Sequence, residues 1–495
     1  MLEYVIDKTK YYLDAMPKKT RKKIGQFFTS RETAIFMASL FDIPPKKHLS
    51  ILDPGTGSGI LTAALMERLQ KEKNINSVSL TCYEVEPAIL DLLKNNLDYI
   101  KKSVKFKLEY TIITKNYITS QSKPQSFADI IIGNPPYMKI NRSAEEATSM
   151  NHVVHGAPNL YFLFASRSIE NLIDMGQMVY IIPRSWTSGA YFKAFRHFLF
   201  NNTALQHIHL FVSRDKVFEE ESVLQETIII KLQKTNIIPE TVTITSTETT
   251  YDFHHLNKII VPFHLVIGHD DNKYVYLVTN KEDVNVLERL NNFNNTLMSL
   301  NMKMKTGLTV DFRETEHLMD SPTDDNIPMF FAQHLRDGRI IFPIGKHGEY
   351  IDTKKNSLLQ PNYNYLFVKR FTSKEESRRL QCSIYLKEDF PQYENISTQN
   401  KLNFIASKKK ELSKEIVYGL YCLFNSSIYD RYYRILNGST QVNSSEVNTM
   451  PIPTIEGIEY LGRELLLGKD LSENKCDDIL EEYIDVETRR CKKIS

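Results

Sequence analysis

No run of apolar residues in this 495-residue chain approaches the ~20 that a membrane-spanning helix requires, so a membrane protein is not expected. The N-terminal stretch MLEYVIDKTKYYLDAMPKK has no continuous apolar segment ahead of a small-residue cleavage site. A secretory leader is therefore not expected, and the chain should work in the cytoplasm. Cysteine is scarce: Cys82, Cys382, Cys422, Cys476 and Cys491 are odd in number, scattered and without a C-x-x-C pair. That pattern argues against a disulfide framework and a zinc cluster, and no metal is expected. An excess of one charge is missing too, since 62 basic residues face 60 acidic ones for a net charge of +2. Any nucleic-acid contact must come from local clusters, not from the field of the whole chain.

What is present is ordinary globular composition, 42% hydrophobic and 25% charged, over a length that suits about two or three domains. From residue 49 to 233, short β-rich runs alternate with helix-like segments: LSILDP, SVSLTCYEVEP, ADIIIGNPP, QMVYIIPRS, HIHLFVS and ETIIIKLQK. Such alternation predicts an α/β, doubly wound and mostly parallel sheet. The last two runs lie too close for a helix between them and should pair as an antiparallel edge. At KTNIIPETVTITSTETT, threonine replaces the helical period, which places a domain boundary between residues 240 and 245. The second domain, 245–495, reads as mixed α+β without an internal repeat.

The segment ILDPGTGSGILTAALMERL is a strand, an acid at Asp53, glycines at 55, 57 and 59, and an amphipathic helix. Gly55, Gly57 and Gly59 permit a sharp turn with no side chain between loop and ligand, and the turn ends on a helix N-terminus that favours electronegative groups. Ile60 stands where a dinucleotide fingerprint needs its third glycine, and the G-K-[ST] of a P-loop is absent. D-P-x-x-G-S-G remains, the form used for S-adenosylmethionine; a turn with glycines for packing alone is the plainer alternative. Further on, SLTCYEVEP ends a second strand at Glu84, where a carboxylate can accept both hydroxyls of a ribose. Upstream, Thr29 followed by Glu32 resembles a capping box at a helix start, with a ligand role open to Thr29.

The run IIIGNPPYMKI ends a strand in two prolines. Each fixes its own φ and extends the residue before it, so Asn134 and Pro135 are held extended. Pro135 and Pro136 supply no N–H, and the Asn134 side-chain oxygen and Pro135 carbonyl should lie side by side as acceptors. Two converging acceptors suit an amino group conjugated to an aromatic ring, whose developing positive charge they stabilise during attack on a sulfonium methyl. Tyr137 offers a face for a planar base. A proline-capped turn with Tyr137 as local packing is the alternative.

Together these residues resemble the amino-methyltransferases of DNA, in particular the adenine-N6 type in which the cofactor motif precedes the catalytic one. The resemblance covers residues 20 to 235. KIGQFFTS resembles the N-terminal cofactor motif, implying contacts from Gln26, Phe28 and Thr29; DPGTGSG, YEVEP and NPPY resemble the glycine loop, ribose strand and catalytic motif. PNLYFLFASRSIENL and VYIIPRSWTSGAYFKAFRHFL look like the segments that follow. It implies a Rossmann-like methyltransferase sheet, S-adenosyl-L-methionine as cofactor, double-stranded DNA as substrate and a flipped adenine. It also implies that Phe218, in RDKVFEEESVLQETIIIKL, packs on the base face opposite Tyr137; a hydrophobic hairpin residue is the alternative. Two positions depart from the pattern: Ser30 stands where proline is usual, and the position of an adenine-contacting Asp falls at Asn116, followed by Tyr117.

In the second half, MKTGLTVDFRE, YLFVKRFTSKEESRRL and NGSTQVNSSEVNTMPIP look like the target-recognition region of modification methylases of restriction systems, nearest to the PstI and BsuBI group. That implies CTGCAG as target, a bacterial or archaeal cell interior, and a cognate restriction endonuclease acting separately; a monomer is expected. Lys369, Arg370, Lys374, Arg378 and Arg379 form a basic cluster suited to phosphate, or else a solvated face. PKKTRKK at residues 17 to 23 divides the same way. His152 and His155 fall in residues 139–157, expected to be a mobile loop near DNA, and the chemistry requires neither. Protein glutamine and RNA adenine methyltransferases are the enzymatic rivals, and a DNA-specificity module with a degenerate site is the rival from another class.

Overall fold

The computed structural model describes residues 1–15, 29–120, 125–212, 226–323, 326–373 and 375–494. These fall into two compact units, Met1–Asn280 and Lys281–Ser495. None of the described helices is long and apolar enough to cross a membrane.

In the first unit, nine described strands build one sheet: β1 (His48–Pro54), β2 (Ser77–Tyr83), β3 (Lys107–Ile113), β4 (Ala128–Gly133), β5 (Leu172–Pro183), β6 (Ala204–Phe211), β7 (Thr227–Gln233), β8 (Thr241–Thr247) and β9 (Asn257–Pro262). Their order is β3-β2-β1-β4-β5-β7-β6-β8-β9. β3, β2, β1, β4 and β5 run parallel, while β7 is antiparallel to both of its neighbours. This is the Rossmann-like methyltransferase arrangement expected from the alternation. The strand order reverses between β1 and β4, the place where open α/β sheets bind ligands beyond the carboxyl ends of their strands. Every residue of β4 is buried, as a parallel strand covered on both faces demands.

The structure moves two details. β6 and β7 do pair antiparallel, but β7 lies inside the sheet and the edge strand is β9. The threonine-rich stretch placed at the boundary between residues 240 and 245 is β8, so the sheet runs on to Pro262. Its alternation buries Val242 and Ile244 on one face while Thr245 and Thr247 meet histidines on the other. Thr247 donates to the Thr249 carbonyl (2.8 Å), so it accepts from His209 Nε2 (3.2 Å). His209 Nδ1 then accepts from Thr245 (2.9 Å), which accepts from His207 Nε2 (2.7 Å). Both imidazoles are neutral in this chain; burial pushes His207 down to about 4 and His209 to about 3.

The helix α1 (Leu2–Ala15) buries Leu2 and Val5 in the core below the sheet. Thr9 on α1 donates to Ser58 Oγ (2.8 Å), which ties this helix to the glycine turn. In the second unit, a six-stranded and a five-stranded sheet are accompanied by the helices Lys414–Phe424, Ser427–Leu436, Ile455–Gly468 and Glu473–Ile494. Two of these helices meet backbone to backbone: a Cβ on Gly419 would lie 1.9 Å from the Ile458 carbonyl oxygen, and one on Gly462 only 1.8 Å from that of Glu415.

Candidate active site

β1 delivers the turn. Gly55, Gly57 and Gly59 take φ of 72°, 59° and 88°, the left-handed region that glycine alone occupies without strain. The Gly55 and Thr56 N–H groups donate to the Tyr83 carbonyl at the end of β2, both at 2.9 Å, which ties the turn to the neighbouring strand. Gly59 caps the helix Ile60–Leu69 without a side-chain bond, leaving the first helical N–H groups for another acceptor.

Two carboxylates flank the turn. Glu84 accepts from the Gly57 N–H and the Glu86 N–H, both at 2.8 Å, so it holds the loop as well as marking the strand tip. Burial raises its pKa, and those N–H groups oppose the rise. Asp53 is 1% exposed and accepts from the Thr62 hydroxyl (2.7 Å); burial pushes its carboxyl up to about 7. A buried acid poised between charge states beside an open helix end suits a cationic, nucleotide-like ligand.

β4 delivers the second element. Gly133 passes beneath the Tyr180 ring, where a Cβ would sit 2.6 Å from the ring edge, so the chain reaches Asn134 only with glycine at that point. Asn134 Nδ2 donates to Thr29 Oγ1 (3.2 Å), and the Tyr137 hydroxyl faces both Asn134 Oδ1 (2.8 Å) and the Ile181 carbonyl (3.0 Å). Burial raises the Tyr137 phenol well above its ordinary range, so it stays protonated and donates. Tyr161 stands edge-on to the Tyr137 ring, with centroids 6.4 Å apart at 89°. β1 and β4 pair in parallel with Ile51 opposite Ile130 and Leu52 opposite Ile131. The glycine turn and the Asn-Pro-Pro-Tyr segment therefore leave the sheet side by side.

Other sequence expectations fare differently. Gln26, Phe28, Phe218 and Lys374 lie outside the described residues, as does the basic run at 17 to 23. Asn116 spends its Oδ1 on the N–H groups of Ile118 (2.9 Å) and Thr119 (3.3 Å) and its Nδ2 on Glu146 (2.8 Å). Tyr117 is 2% exposed, with its hydroxyl on Asn171 (2.8 Å) and its ring against Tyr83, so it packs the core and is not a ligand contact. Residues 139–157 carry a short helix, Glu145–Ser149, and bury Ala147, Met150 and Val153. His152 there sits 3.4 Å from Glu170. Among the described residues, no three His, Cys, Asp or Glu side chains gather as a metal site would require.

The basic cluster is not a surface stripe. Arg379 is 0% exposed: its guanidinium serves Thr372, Asn437 and the Ser439 carbonyl and lies 5.6 Å from the Tyr433 ring. Arg378 caps the carbonyls of Phe424 and Ser426 and pairs with Glu473 (2.8 Å). Lys369 and Arg378 line a groove of about 900 Å³ together with Asp337, Glu376, Asp470 and Glu473, so its charge is mixed. Arg370 donates to the Asn400 carbonyl (2.9 Å). Adjacent cations in sequence read as a patch, but the fold draws two of them inward to satisfy carbonyls. Conversely, nothing in the spacing announced that Thr29 would meet Asn134 or that Thr9 would meet Ser58, because both contacts exist only once the sheet is assembled.

Comparison with known proteins agrees with this geometry. The Eco57I restriction-modification methylase family matches residues 58–218. Over nearly its whole length the chain is similar to the type II methyltransferase M.BsuBI of Bacillus subtilis, 33% identical over 97% of each chain. It is likewise similar to M.PstI of Providencia stuartii, 32% identical over 94% of each. Among solved structures, a cryo-electron-microscopy DrdV–DNA complex shares the fold with a TM-score of 0.50 at 12% identity, covering 94% of this chain and 59% of that one. With a third of its residues shared end to end with such relatives, the chain belongs to the type II methyltransferases of restriction-modification systems, in the group of M.BsuBI and M.PstI.

Proposed function

We propose that the chain transfers a methyl group from S-adenosyl-L-methionine to N6 of an adenine flipped out of duplex DNA, as the modification enzyme of a restriction-modification system. The observation that carries this reading is the Asn134 carboxamide beside the glycine turn, fixed by the β1–β4 register. The cofactor supplies an electrophilic methyl on a sulfonium. Glu84 suits its ribose, the open N-terminus beyond Gly59 suits its electronegative atoms, and Asp53 suits its cationic end.

Adenine N6 is a weak nucleophile because its lone pair belongs to the ring. Acceptors at Asn134 Oδ1 and the Pro135 carbonyl stabilise the charge that develops as nitrogen attacks, with no strong base required beforehand. Extrusion of the base costs a few kcal/mol, and stacking on Tyr137 returns roughly 1–3 kcal/mol. Phe218 is proposed for the opposite face. The second unit is proposed to read the site, with CTGCAG as the working target and a monomer as the working state; Lys369 and Arg370 are the cations of the cluster retained for phosphate.

Incubation with labelled S-adenosylmethionine and separate DNA, RNA and protein acceptors tests the reading. Label should enter duplex DNA, at adenine, and the modified site should be mapped by sequencing. Label confined to RNA or protein refutes it. Asn134→Ala should abolish transfer while cofactor binding persists.

A further inference from the structure

The contact between Thr29 and Asn134 joins the segment leading into the helix Arg31–Ser39 to the catalytic turn, across 105 positions of sequence. Thr29 is 8% exposed and precedes Ser30, whose own hydroxyl caps that helix by accepting from the Thr33 N–H. The protons at this junction are few. Tyr137 has one hydroxyl proton and two acceptors in reach, Asn134 Oδ1 at 2.8 Å and the Ile181 carbonyl at 3.0 Å. Thr29 likewise has one proton to give.

A carboxamide can turn by 180° with almost no change of shape. With Nδ2 towards Thr29, the threonine oxygen accepts, Oδ1 lies on the Tyr137 side, and the Thr29 proton is left to be donated elsewhere. With Oδ1 towards Thr29, that proton is consumed by the amide, and Nδ2 faces the side where the base stacks. Only the first arrangement offers the target amine an acceptor.

We propose that Thr29 is a positioning residue that couples the two substrates: an acceptor oxygen at the amino-acid end of the cofactor takes the Thr29 proton, leaves the threonine able only to accept, and thereby turns Asn134 Oδ1 towards the base. This rests on the methyl-transfer reading above. Its consequence is thermodynamic. A bound cofactor strengthens the grip on the flipped base, and by reciprocity the base strengthens cofactor binding.

The test measures binding of a duplex carrying 2-aminopurine at the target adenine of the site mapped by the transfer assay. Native protein, Thr29→Ser and Thr29→Val are compared with and without S-adenosylhomocysteine, and with 5′-methylthioadenosine, which lacks the amino-acid end. S-adenosylhomocysteine should tighten duplex binding by about fivefold or more in native protein and Thr29→Ser, and by less than about twofold in Thr29→Val. Single-turnover methylation should follow the same ranking. 5′-Methylthioadenosine should tighten none of them. Full tightening in Thr29→Val, no tightening in native protein, or equal tightening by 5′-methylthioadenosine each overturns the coupling. Loss of S-adenosylhomocysteine binding in Thr29→Val also overturns it, by making Thr29 a plain ligand contact. Failure of the native protein to methylate DNA at all refutes the proposed function instead.

Discussion

Replacing Tyr137 by phenylalanine removes one oxygen and keeps the ring, which separates two roles that alanine would abolish together. The lost hydroxyl serves Asn134 Oδ1 at 2.8 Å and the Ile181 carbonyl at 3.0 Å. A buried hydrogen bond of this kind is worth about 0.5–1.5 kcal/mol net, and an acceptor left without its donor costs about 1–3 kcal/mol. If about 1.4 kcal/mol of that held the amide in its productive orientation, the chemical step slows about tenfold. Single-turnover methylation at saturating DNA and cofactor isolates that step, and fluorescence of 2-aminopurine at the target position reports extrusion. Tyr137→Phe should therefore show a tenfold slower single turnover with an unchanged 2-aminopurine signal, whereas Tyr137→Ala should lose both. A native single-turnover rate in Tyr137→Phe would mean the hydroxyl does not orient Asn134.

The remaining predictions concern the scaffold around that step. His207 and His209 are held below their ordinary range by burial, so between about pH 4 and 6.5 the unfolded chain binds protons that the folded one refuses, and stability falls with falling pH. Near pH 5 the pair contributes about two protons of uptake on unfolding; His209→Gln should reduce the measured slope by about one, and an unchanged slope refutes the assignment. Asp53 is raised to about 7, so its ionisation costs stability as pH climbs from its ordinary value near 4 towards 7, by roughly 4 kcal/mol at most. Asp53→Asn should raise Tm at pH 8 while weakening cofactor binding at least about tenfold; a lower Tm there counts against the buried-charge argument. Gly462→Ala should cost about 3 kcal/mol or more through backbone overlap with Glu415. Trp186, the single tryptophan, lies in the first unit, so its emission should stay native while circular dichroism shows partial melting; simultaneous loss of both signals would show that the units do not unfold separately.

The strands that carry chemistry were legible because a parallel strand buried on both faces must be written as an unbroken apolar run, as ADIIIG and HLSILDP are. Glycines with positive φ and prolines after an asparagine are legible for the same reason, since local geometry selects them. KLEYTII escaped notice because it is an edge strand with partly exposed positions, and its weak alternation does not announce a strand. TVTITST was read as a boundary because its polar face pairs with His207 and His209, partners that composition does not reveal. Arg379 misled for the converse reason: a charged residue among charged neighbours reads as surface until the carbonyls and rings that enclose it are in place. The contact of Thr29 with Asn134 depends on assembled tertiary structure and leaves no mark on local spacing.

The pairing of Ile51 with Ile130 and Leu52 with Ile131 has a metrical consequence. Counted onward in the same register, Gly55 and Asn134 each lie three residues past a matched pair, so the two arms have equal length. A slip of one residue would carry the asparagine about 3.3 Å along the strand and turn its side chain to the other face. The sheet thus acts as a ruler between the sites proposed for donor and acceptor. Substitutions can retune the grip on either partner, but an insertion in one arm demands a matching insertion in the other.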